Sequence, residues 1–192
     1  MAARPSPSPE SPGDAVKLSQ VQSVFHAVFA AEGVRLEGGF PEPFYRAPGP
    51  QGGAEIRFTR DYLNSSLHEV AHWCIAGHAR RARDDYGYWY RPDGRNGMEQ
   101  EEFFRAEAAP QALEQAFAAA CGGEFRMSLD NLDGEVQGHD AFASALREKL
   151  AGYLGSGFPD RAGRFLAGLM ERFHPEVAAE ERSAWLRGRV RL

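Results

Sequence analysis

The run His68-Glu69-Val70-Ala71-His72 sets two imidazoles four residues apart, with a carboxylate beside the first. Residues four apart on a helix share a face, with Cβ atoms about 5–6 Å apart. That spacing lets two ring nitrogens reach one metal ion at about 2.0–2.1 Å. H-E-x-x-H is the pattern of helix-borne metal sites. The helix expected to carry it, about 61–79, is too apolar for a surface helix, and polar side chains inside such a helix need a reason to be there.

The third ligand decides the chemistry. His78 follows His68 by ten residues, and His68, His72 and His78 share the outer spacing of the metzincin proteases. The glycine of that pattern falls at the seventh position after the first His; here Ile75 stands there, and Gly77 directly precedes His78. Three histidines would suit zinc and hydrolysis of a peptide or RNA, with Glu69 as general base for a bound water. Glu107 is the other candidate, carried back to the helix on a short extended segment between Phe103-Phe104 and Pro110-Gln111. Two histidines and one carboxylate leave three adjacent positions open, the arrangement of non-haem Fe(II) oxygenases. Spacing alone leaves both sets open.

Around this motif the pattern is helix-rich. Helices are expected over 15–31, with Val16, Val21, Val24, Phe25, Val28 and Phe29 on a stripe; from Pro110 to a stop at Gly122-Gly123; and over 140–154 and 159–173. Asp61 or Asn64-Ser65 is expected to cap the motif helix. His26 has no partner at ligand spacing and reads as structural. Short strands are expected at 34–36, before a Gly38-Gly39 break, and at 54–58; 41–53 is rich in Pro and Gly and reads as loop. Tyr86 to Tyr90 should be extended, closing in a Pro92-Asp93-Gly94 turn, with another turn over 129–134. The fold class is α+β, one helix-rich domain with a small sheet over 15–192, after a disordered Pro/Ser tail over 1–14.

The totals agree with a single domain in the cytoplasm. No apolar run approaches the roughly 20 residues that span a bilayer, and the start lacks the features of a secretion signal. Cys74 and Cys121 fall in apolar helical surroundings and should be buried free thiols. A net charge of -5 argues against direct nucleic-acid binding. The charge is uneven, however: Arg80, Arg81, Arg83, Arg91, Arg95 and Arg105 lie near the motif and could form a basic rim for an acidic partner.

The stretch His68-Glu-Val-Ala-His-Trp-Cys-Ile-Ala-Gly77, then Ala79-Arg-Arg81 and Asp85-Tyr-Gly-Tyr-Trp-Tyr-Arg-Pro-Asp-Gly-Arg95, closely resembles the bacterial elongation factor P hydroxylase family. Pro110-Gln-Ala-Leu-Glu114 and Asp130-Asn-Leu-Asp-Gly134 resemble further blocks of it, and the likeness covers roughly residues 18 to 175. The resemblance implies a fold like that of the metal-dependent rRNA-maturation endoribonucleases. It implies a metal-dependent hydroxylase acting on elongation factor P, at a lysine that already carries a β-lysyl group, using Fe(II) and O2. It implies a two-His-one-carboxylate site, which falls here on His68, His72 and Glu107, with Glu69 orienting a ligating His. The family accepts a Lys where His78 stands, whereas the endoribonucleases use three His at this spacing, so His78 stays the alternative third ligand. Tyr86, Tyr88, Trp89 and Tyr90 are expected to wall the site, and Asp85 and Asp93 to meet the substrate's amines.

Overall fold

Helix α1, Pro12–Val28, turns Leu18, Val21, Val24 and Phe25 inward at three- and four-residue intervals. Val16, expected on the same stripe, is left exposed. It starts at Pro12 rather than Ala15, with Pro tolerated in the first turn and Asp14 favourable there. A 3-10 turn, Ala30–Glu32, ends on Gly33, whose φ of 62° suits a residue without a Cβ. The computed structural model describes residues 12–50, 52–85, 97–128 and 139–190. The segments expected as the aromatic wall (86–90) and the turns at 92–94 and 129–134, Asp93 among them, lie outside the described residues.

Three strands form a mixed sheet in the order β1-β3-β2: β1 Arg35–Phe40, β2 Phe44–Arg46 and β3 Glu55–Thr59. The first pairs parallel and the second antiparallel with β3. The Gly38-Gly39 pair does not break β1. Instead the register shifts between Glu37 and Phe40, Gly39 takes a φ of 85°, and a Cβ on Gly38 would fall 2.7 Å from the Phe58 ring. The glycines make a bulge and a close approach. Strand β2 lies inside the stretch expected as loop, because three residues are too few to show a period.

Alternation sends Leu36, Ile56 and Phe58 into the core. Glu55 is buried on the other side among arginines. Arg35 and Arg46, its partners in register on the two flanking strands, and Arg57 on its own strand all pair with it, at 2.6, 3.2 and 2.5 Å. His26 is structural: its Nε2 accepts from the Leu36 amide at 3.0 Å and ties α1 to β1.

Helix α2, Leu63–Ile75, carries the histidine motif. Tyr62 is its N-cap residue and makes no side-chain cap bond, so the expected capping by Asp61, Asn64 or Ser65 does not occur; Ser65 Oγ accepts from the Thr59 amide instead. The helix ends at Ile75, short of Ala79, because Ala76 and Gly77 turn extended before the one-turn helix α3, His78–Arg81. Helix α4, Gly97–Cys121, starts well before Pro110, which sits in its interior. That placement costs the Ala106 carbonyl its helical donor, and Ala106 is an exposed residue. Helices α5, His139–Ser156, α6, Asp160–Phe173, and α7, Arg182–Arg187, complete the described residues.

The core surrounds α2, which packs on β3, α4, α6 and α1. Trp73 meets Phe25 and Phe29 at ring-centroid distances of 5.6 and 4.7 Å, and Phe165 meets Phe25 and Phe117 at 5.8 and 5.0 Å. Each such edge contact adds about 0.5–1.5 kcal/mol beyond the area it buries. Cys74 and Cys121 are buried free thiols, pushed by burial up to about 12 and about 11. No helix among the described residues is long and apolar enough to cross a membrane.

Candidate active site

The face that α2 turns toward α4 holds the motif. His68 and His72 stand one turn apart, and their rings meet edge to face with centroids 4.6 Å apart. From α4, residues 107, 111 and 114 repeat at four and three, so Glu107, Gln111 and Glu114 share one face. All three are buried. A buried stripe of acids is unfavourable without partners, and α2 supplies them.

Glu107 faces both imidazoles. Its two oxygens lie 3.3 Å from His72 Nε2 and 3.5 Å from His68 Nε2. The two Nε2 atoms are themselves 3.0 Å apart. Two nitrogens each about 2.1 Å from one ion and at right angles around it lie about 3.0 Å apart. One ligand atom each from His68, His72 and Glu107 therefore fits around a single ion, all lying within 4.8 Å of one another. The donor set, two imidazoles and a carboxylate, fits iron or zinc by type.

Behind this group, Glu114 Oε2 lies 2.8 Å from His68 Nδ1. A carboxylate on the far nitrogen of an imidazole fixes the ring and leaves Nε2 free to bind metal. Burial pulls His68 toward the neutral form, but the hydrogen bond to Glu114 and the charges of Glu114, Glu107 and Glu69 outweigh it, and the ring is pushed up to about 10. Gln111 grips the backbone of Ser128: its Nε2 donates to the Ser128 carbonyl at 2.8 Å, and its Oε1 accepts from the Ser128 amide at 3.0 Å.

Glu69 points elsewhere. It lines an open cleft with Tyr45, Ile56, His72, Trp73, Ala76, Arg80, Arg81 and Asp85. Burial raises its carboxyl above the usual range; His68 and His72 pull it down, and Glu107 and Glu114 push it further up. Glu114 is bonded to His68 and Glu107 faces both rings, while Glu69, expected to orient a ligating His, lies on the cleft beside His72. Asp85 is at the same cleft, paired through Oδ2 with Arg80 Nε and through its backbone with Tyr45.

His78 is exposed on α3 and stands outside the group formed by His68, His72 and Glu107. It lines a second cavity with Glu32, Val34, Tyr45, Trp73 and Arg81. It follows the turn at Ala76-Gly77, at the start of α3. Glu107 arrives on a continuous helix, where an extended segment was expected. Glu114 was missed as a functional residue, although its interval of seven from Glu107 is the signal that would have found it.

The family model described as elongation factor P hydroxylase matches residues 24–183. An elongation factor P lysine hydroxylase of Haemophilus influenzae is 39% identical over 148 residues, covering 76% of this chain and 83% of that protein. The chain belongs to the elongation factor P hydroxylase family.

Proposed function

We propose that this protein hydroxylates the β-lysylated lysine of elongation factor P in the cytoplasm, with Fe(II) as its metal and O2 as co-substrate. The observation that carries the reading is the convergence of His68, His72 and Glu107, with Glu114 behind His68. It supports Glu107 as the third ligand and offers nothing to a zinc hydrolase built on His78. When bound, iron supplies the one-electron oxidation of an unactivated C–H bond, which redox-inert zinc does not.

The chain's own residues do the rest. Glu114 accepts a hydrogen bond from His68 Nδ1–H and holds the ring. Buried Glu107 supplies negative charge where two imidazole nitrogens meet. Tyr45, Ile56 and Trp73 give the cleft apolar walls suited to a long aliphatic side chain and able to exclude water. Glu69, facing that cleft, is the acid offered to a substrate amine, while Asp85 is already paired with Arg80.

Metal replacement tests the reading. Iron-loaded protein should add one oxygen atom to β-lysylated elongation factor P in air and none under anaerobic conditions. Turnover by the zinc-loaded protein without oxygen would overturn it.

A further inference from the structure

Two guanidinium groups converge on one main-chain carbonyl at the C-terminal end of α2. Arg161 Nη2 donates to the Ala76 oxygen at 2.6 Å, and Arg81 Nε donates to the same oxygen at 3.1 Å. A helix C-terminus attracts cations, which explains why both side chains gather there. It does not neutralise them. Among the described residues, neither has a carboxylate within ion-pair distance, because the nearby acids are engaged: Glu32 holds Arg164 and Asp85 holds Arg80.

The hydrogen-bonding capacity of the pair is unfilled as well. A guanidinium has five N–H donors, and Arg161 Nε is buried without a hydrogen bond, its group lying 5.1 Å from the Trp73 ring centre. Burial and the neighbouring charge of Arg81 weigh against the charged form of Arg161 and prevail over Cys74, Asp160 and Glu32, which favour it. The place matters too. Arg81, Trp73 and Ala76 line the cleft that holds His72 and Glu69, and Arg81, Trp73 and Tyr45 also wall the second cavity. Arg81 therefore stands on the wall of the cleft, and Arg161 stands beside it across the shared Ala76 oxygen.

We propose that Arg81 and Arg161 form a docking site for a carboxylate of the protein substrate, an acidic side chain close to the lysine that enters the cleft. The identity of that partner rests on the hydroxylase reading; the anion site does not. The planar fork of arginine matches a carboxylate. The chain's net charge of -5 disfavours a polyanionic nucleic acid, which would be repelled over the rest of the surface, whereas one or two carboxylates need only the local pair.

Isothermal titration of the full chain at low salt tests this, with a tetraglutamate peptide and inorganic phosphate as probes. The peptide should bind the unaltered protein, and Arg161→Gln or Arg81→Gln should each weaken it at least tenfold, with helical content and bound metal unchanged. Arg161→Lys should retain part of the affinity. Equal peptide binding by the variants, no peptide binding by the unaltered protein, or binding of phosphate alone would overturn the proposal. Where Arg161→Gln does not fold, Arg81→Gln on the short helix α3 carries the same test. Peptide binding needs neither iron nor oxygen, so its outcome stands apart from hydroxylation. Hydroxylation by the unaltered protein with no rise in KM for Arg161→Gln would remove the docking site and leave the hydroxylase.

Discussion

Glu114 Oε2 sits 2.8 Å from Nδ1 of His68, so the ring is held on the side away from His72 and Glu107. A neutral imidazole donating from Nδ1 carries its lone pair on Nε2, the nitrogen that faces the rest of the group. Helix α4 thus supplies both a facing carboxylate and the brace behind one histidine.

The brace can be removed by itself. Glu114→Ala should weaken metal binding about 10–100-fold, the usual cost of losing such a partner. Glu114→Gln, which keeps an acceptor oxygen, should lose less. Competition against a chelator of known affinity checks both, and unchanged affinity in Glu114→Ala would mean that His68 is oriented by packing alone.

The two candidates for the third ligand separate cleanly. Glu107→Ala should lose bound metal and hydroxylation together, since it removes a buried facing carboxylate. His78→Lys should leave both within about twofold, as expected of an exposed position outside a metal-binding group. Metal analysis of the purified variants decides, and the opposite pattern would restore the three-histidine site.

The metal-free protein should show His68 in its pH dependence. The folded ring is pushed up to about 10, above its ordinary value of 6.5. Its contribution to stability is therefore complete below 6.5 and lost as pH rises through about 10. Thermal denaturation of the metal-free protein should show a falling Tm over that window, and the fall should shrink in Glu114→Ala. For the same reason metal binding near neutral pH should release about one proton, measurable by calorimetry in two buffers of different ionisation enthalpy.

At the sheet, Glu55 is held by three arginines. Burial alone would raise its carboxyl, but the bonds to Arg57 and Arg35 prevail and lower it. Its stabilising effect is present above its ordinary value of 4.5 and fades as pH falls through the lower folded value. Glu55→Gln should cost about 1 kcal/mol at pH 7, since Arg35 and Arg57 keep contact with water once their partner is lost. The difference from the unaltered protein should narrow in acid, which urea denaturation at a series of pH values can follow.

What the chain order reveals depends on range. The motif helix, α5 and α6 were legible because their apolar residues repeat at the helical period over several turns, and the two histidines share a face by local geometry. The fold class and the buried thiols followed in the same way. The ends were harder. Pro110 reads as a helix start, yet α4 runs through it, because burying Phe103, Leu113 and Phe117 on one helix outweighs one lost hydrogen bond. The short β2 exists only because β3 offers it an edge. The interval of seven puts Glu114 on the face of Glu107, but its pairing with His68 depends on the register at which α4 crosses α2, over 46 residues of sequence.

In the proposed function, His68, His72 and Glu107 together hold the metal with which this protein hydroxylates elongation factor P. Mass spectrometry of β-lysylated elongation factor P, co-expressed with the unaltered chain, His72→Ala or Glu107→Ala, tests it most directly. A gain of one oxygen atom on the modified lysine is expected with the unaltered chain and none with either variant. No gain with the unaltered chain, or a gain that survives the loss of His72 or Glu107, would contradict it.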